Sequence, residues 1–141
     1  LYNSMATIAS TTIENIADGN GVGAYYSMVD VASTTIRNIT GTDSAITLYS
    51  STSTLSHVVL EDGNGSGLDV HRGQVAVDDT VVSGFQEHGI LIATTDAIIT
   101  NTETKENGVG VEFFSKPEFS DILAHDNRVN VSDTTVDLAV E

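Results

Sequence analysis

Three stretches decide the fold: Gly67-Leu68-Asp69-Val70, Gly89-Ile90-Leu91-Ile92 and Gly110-Val111-Glu112-Phe113. Each runs small, apolar, variable, apolar. The same form occurs 22 residues before the first, at Ala45-Ile46-Thr47-Leu48, and again at Gly23-Ala24-Tyr25-Tyr26. One further step reaches Leu1. The starts at 1, 23, 45, 67, 89 and 110 are separated by 22, 22, 22, 22 and 21 residues. Towards the C-terminus the pattern continues at Arg128-Val129-Asn130-Val131, after a step of 18.

Two other repeats support this period. Ala9-Ser10-Thr11-Thr12-Ile13-Glu14-Asn15-Ile16 returns almost unchanged as Ala32-Ser33-Thr34-Thr35-Ile36-Arg37-Asn38-Ile39, 23 residues on. Asp18-Gly19-Asn20-Gly21 returns as Asp62-Gly63-Asn64-Gly65, 44 residues on. A second apolar pair thus marks each repeat: Ile13/Ile16, Ile36/Ile39, Val82/Phe85 and Val136/Leu138. Leucine-rich repeats need a Leu-x-x-Leu-x-Leu frame that is absent, and propeller blades need about 40 residues per repeat. A coil of short parallel strands fits. Its turns stack at about 4.8 Å, so six turns make a rod roughly 30 Å long.

Composition agrees. Thr numbers 18 and Ser 14, against 1 Pro and no Trp. Thr and Val suit pleated, half-buried strands, and no segment carries a sustained helical period. With 20 acidic and 5 basic residues the net charge is −15. That charge repels nucleic acid and anionic membranes. No apolar run is long enough for a membrane span. Without cysteine, disulfides and thiolate metal sites are excluded.

The Gly-Φ-x-Φ strands, the Ser/Thr-Thr-Ile-x-Asn-Ile segments and the Asp-Gly-Asn-Gly turns resemble the right-handed parallel β-helix proteins of the pectate-lyase-like superfamily. The resemblance covers residues 1–141 and implies an all-β, single-stranded right-handed solenoid of about six turns of ~22 residues. It is specific for architecture and silent on reaction, because the superfamily spans lyases, hydrolases, epimerases, phage tail spikes, adhesins and surface repeats. It also implies an asparagine ladder at a bend, with Asn15, Asn38 and Asn101 as its members. An extracellular or cell-surface location follows from the resemblance as well.

In such a coil, inward residues form columns. The expected ones are Ala24, Ile46, Leu68, Ile90, Val111 and Tyr26, Leu48, Val70, Ile92, Phe113. The outward column between them is Tyr25, Thr47, Asp69, Leu91, Glu112, Asn130. Polysaccharide-cleaving β-helices set carboxylates on such a face, and acid–base work needs a pair roughly 5–9.5 Å apart. Asp69 and Glu112 stand two turns apart with Leu91 between them. Asp69, His71 and Arg72 make the densest polar cluster. These four are the catalytic candidates; their plainer reading is a solvated face. His57, His71, His88 and His125 fall on different columns, which argues against a histidine metal site. Asp18 and Asp62, beside glycines, are the calcium candidates. Their copies sit two turns apart, which favours plain turns, so no cofactor is expected beyond that one ion.

The chain opens mid-pattern and closes within a strand-like run, so the expectation is a segment of a longer solenoid. Its ends offer edges for self-association or for other chains. Asn38, Asn64 and Asn130 head glycosylation sequons. The expected function is an extracellular structural or adhesive repeat, a rigid spacer or presenting surface with a carbohydrate or cell-surface polymer as partner. The alternative is part of a polysaccharide-degrading lyase or glycoside hydrolase.

Overall fold

The computed structural model describes residues 1–94, 96–114 and 118–133. It is an all-strand coil: fourteen strands, no helix among the described residues, and parallel pairing throughout. About six turns stack, each crossing three faces.

The first face holds Val22–Tyr25, the start of Ile46–Ser56, the start of Leu68–Asp78, then His88–Ala93, Val109–Phe113 and Val129–Asp133. The second holds Met5–Ala9, Met28–Ala32, the remainders of the two long strands, and the starts of Asp96–Lys105 and Glu118–His125. The third holds Thr12–Ile16, Thr35–Ile39, Val59–Gly63, Val81–Phe85 and the ends of the last two long strands.

The bends explain the composition. Fifteen non-glycine residues have left-handed backbone, and they form three columns. These are Asn3–Tyr26–Ser50–Arg72, then Ser10–Ser33–His57–Asp79–Asn101–Asp121, then Asn15–Asn38–Asp62–Glu106–Asp126 with Gly84 completing the last. A left-handed residue reverses which side the next side chain takes, so each column is a corner. At seven of the ten positions of the first two corners a Ser or Thr follows, and its hydroxyl donates to the carbonyl two residues back. Ser4, Ser27 and Ser51 bond Tyr2, Tyr25 and Tyr49, while Thr34, Thr80 and Thr102 bond Ala32, Asp78 and Thr100. A buried hydroxyl must find a partner, and this one also holds the bend.

The core is built of stacked columns. Val22–Ile46–Leu68–Ile90–Val111 and Ala24–Leu48–Val70–Ile92–Phe113 line the first face. Ile13–Ile36–Leu60–Val82 lines the third. Each fully buried Ile, Leu or Val contributes on the order of 1.5–3 kcal/mol. Phe85 fills a notch under Gly63, where an added methyl group would come 2.5 Å from the ring. In the next two turns Asn107 and Asn127 replace the apolar residue. Asn107 is buried; it accepts from the Phe85 N–H at 2.9 Å, donates to the Val82 carbonyl at 3.1 Å and donates to Asn127 Oδ1 at 3.0 Å.

Three expectations of register are corrected. Ala24 stacks on Leu48 rather than Ile46, so the step at the start is 24 residues. Tyr26 is therefore no core residue; it is 53% exposed, at a corner. Tyr25 stacks on Tyr49, and Glu112 is followed by Ser132 rather than Asn130, a step of 20. The asparagine ladder is also redrawn. Asn15 and Asn38 share a corner and bond at 3.3 Å, but Asn101 belongs to the corner of His57 and Asp79. The ladder inside the coil is Asn107–Asn127. Val136 and Leu138 lie outside the described residues.

Candidate functional site: the first face

Strand alternation turns two columns of the first face outward. One is Gly23–Thr47–Asp69–Leu91–Glu112–Ser132; the other is Tyr25–Tyr49–His71–Ala93. Asp69 and Glu112 thus stand two turns apart, as the spacing implied, with Leu91 between.

Each carboxylate has a histidine. His88 Nε2 lies 2.6 Å from Glu112 Oε2, and His88 Nδ1 lies 3.2 Å from Ser66 Oγ. His71 Nε2 lies 2.8 Å from Asp69 Oδ1, an oxygen buried from solvent. Burial pushes the Asp69 carboxyl above the ordinary carboxylate range; the nearby His71 and His88 pull against it without reversing it. Desolvation disfavours the charged form, and that outweighs the two imidazoles here.

Arg72 sits at a corner with its guanidinium carbon 5.6 Å from the centre of the Tyr49 ring. Among the described residues it makes no ion pair. The cluster of Asp69, His71 and Arg72 is therefore a histidine–carboxylate contact beside a stacked cation.

Chemically, the face offers two histidine–carboxylate pairs that can hold or move a proton, set apart by a leucine. Ser66–His88–Glu112 has the order of a nucleophile, base and orienting acid. However, Ser66 is only 3% exposed, which shields its oxygen from a substrate. His88 was hidden from column reasoning because it opens its strand and reaches across to Glu112. The only trace in the sequence is Glu87-His88-Gly89.

The two Asp-Gly-Asn-Gly turns are not equivalent. Asp62 occupies the third corner with Asn15 and Asn38, whereas Asp18 lies three residues beyond that corner. Asp43 Oδ2, in the turn between, accepts from the Gly19 N–H at 2.9 Å. Among the described residues no three His, Asp or Glu side chains converge as metal ligands. The sequon residues are engaged locally: Asn38 with Asn15, Asn64 with the Thr40 carbonyl at 2.6 Å, and Asn130 with Asn127.

The tyrosines also gather. Tyr25 and Tyr49 stack with centroids 6.5 Å apart, and Tyr26 meets Tyr2 and Tyr49 edge-on, each at 5.8 Å. Tyr25 faces outward as the alternation implies, whereas Tyr26, expected inward, is exposed at the corner.

The geometry defines a parallel β-solenoid, and the comparison with known families agrees. The family model described as right handed beta helix region matches residues 1–138, and the chain belongs to that family. The pectate-lyase-like superfamily is consistent with it. No curated protein and no solved structure matches the chain.

Proposed function

We propose that this β-helix is an extracellular adhesive rod, a stiff support that presents one face to a carbohydrate or other cell-surface polymer. The observation that carries this reading is the unbroken stacking of three faces, with polar and aromatic side chains ordered in columns along one of them. A fold of this kind converts sequence repeats into an extended display surface. Retention of the 141-residue chain on insoluble polysaccharides or on whole cell walls tests it. Binding is expected, with the polymer left intact; a chain that passes through every such matrix unretarded counts against it.

One observation favours a second reading, a carbohydrate-active enzyme. Asp69 combines a buried carboxylate oxygen, set against His71, with a pKa that burial raises, the direction a general acid needs. Incubation with acidic and neutral polysaccharides, with and without calcium, separates the two. Chain cleavage that Asp69→Ala abolishes would establish the enzyme.

A further inference from the structure

All four tyrosines of the chain meet at the corner between the first and second faces. Tyr25 and Tyr26 are 37% and 53% exposed. Tyr26 and, two turns on, Arg72 take left-handed backbone, with φ of 52° and 64°. The other residues of these corners are mostly Asn, Asp and Ser, which tolerate that region; a bulky side chain does so at a cost. A tyrosine and an arginine kept in strained positions two turns apart on one ledge, both against Tyr49, point to a use other than folding.

Resting on the polymer-binding role proposed above, we infer that Tyr25, Tyr26 and Tyr49, continued by His71 and Asp69, form the binding site for a neutral polysaccharide chain lying along the rod axis. The ring spacing selects this ligand. At 5.8–6.5 Å between centroids the rings touch, so no small cation fits between them as in an aromatic cage. A ligand must lie across them, and the C–H faces of sugar rings stack on aromatic surfaces as apolar area does. Charge selects it further. Past the tyrosines the face carries Asp69 and Glu112, and Arg72, the basic residue of the ledge, is already placed against Tyr49. With −15 on the whole chain, polyuronates are repelled.

The test is affinity electrophoresis of the whole chain in gels holding soluble neutral polymers, hydroxyethylcellulose and galactomannan, or polygalacturonate. Two variants suit their positions. Tyr26→Asn puts a corner residue at a corner, and Tyr25→Thr puts a strand former in a strand. Wild type is expected to be retarded by a neutral polymer and not by polygalacturonate. Each variant should bind about tenfold more weakly or worse, and Tyr26→Asn should melt no lower than wild type. Unchanged binding by both variants overturns the tyrosine ledge and leaves the adhesive role standing. Preference for polygalacturonate overturns the ligand class. No retardation by any polymer overturns the ledge and counts against the adhesive role with it.

Discussion

Gly63 and Phe85 show how a single position sets the packing of two turns. The third-face column reads Ile16, Ile39, Gly63, Phe85, so an empty place in one turn admits an oversized ring from the next. Replacing Gly63 with Ala puts a methyl group 2.5 Å from the Phe85 ring. The expected loss is about 1–3 kcal/mol, as for other overpacked cores. Urea denaturation should show it, and Phe85→Leu added to Gly63→Ala should recover part of it because the pair then fits again. Asn107, one turn further, is held in the same column by three hydrogen bonds instead of apolar contact. There a polar residue is tolerated only because each of its bonds is made.

At the scale of strands and corners, the sequence was legible where repeats coincide in both pattern and length. Ile13/Ile36 and Ile16/Ile39 pair as the near-identical octapeptides implied. It misled where a slip of two residues leaves the alternation intact. Setting Ala24 on Ile46 or on Leu48 keeps every apolar residue inward, because the side-chain period is two. The same slip hid the pairing of Glu112 with Ser132. Inward and outward sets were thus readable, but stacking partners were not, and a site depends on partners. Tyr26 is misplaced for that reason, whereas His88 is missed because it reaches Glu112 from the start of its strand. The third-face strands also carry an ionic cluster that no pattern announced. His125 Nε2 lies 2.9 Å from Glu103 Oε1 and its Nδ1 2.8 Å from Asp126 Oδ2, while Lys105 Nζ lies 3.1 Å from Glu103 Oε1. Hydrogen bonds to Glu103 first, and then to Asp126, raise the His125 pKa above 6.5. Those from His125 and Lys105 hold Glu103 below 4.5. A raised histidine stabilises the fold fully below its unfolded pKa and loses that contribution as pH rises through the folded value. Thermal melting of His125→Gln should therefore fall below wild type at pH near 6 and converge with it at alkaline pH. Both side chains are about a third open to solvent, which screens the pair, so the difference should be small.

Across the whole molecule, one corner absorbs most of the variation in turn length. Ile16 to Val22 is six positions, Ile39 to Ile46 seven, Gly63 to Leu68 and Phe85 to Ile90 five, Asn107 to Val111 four. The neighbouring corner keeps a fixed span from Ile8 to Ile13, Val31 to Ile36, Leu55 to Leu60 and Val77 to Val82, always five. Loop length by itself costs little. A Gly/Ser insertion of roughly six residues between Thr42 and Asp43, both exposed, should keep the strand signature in circular dichroism and lower the melting temperature only slightly. The same insertion between Thr34 and Thr35 should prevent folding, since it unseats Ile36 from the core.

The near-constant step of 20–24 residues between paired strands also has a kinetic meaning. Every ladder contact closes a loop of about one turn, so the entropic cost of adding a turn hardly changes along the rod. The first pair of turns must meet that cost with no finished ladder to dock against. Each later turn winds onto a completed edge. The chain therefore folds as thread winds on a spool, slow to take the first loop and quick thereafter, and the neighbouring turn serves as the template for the next.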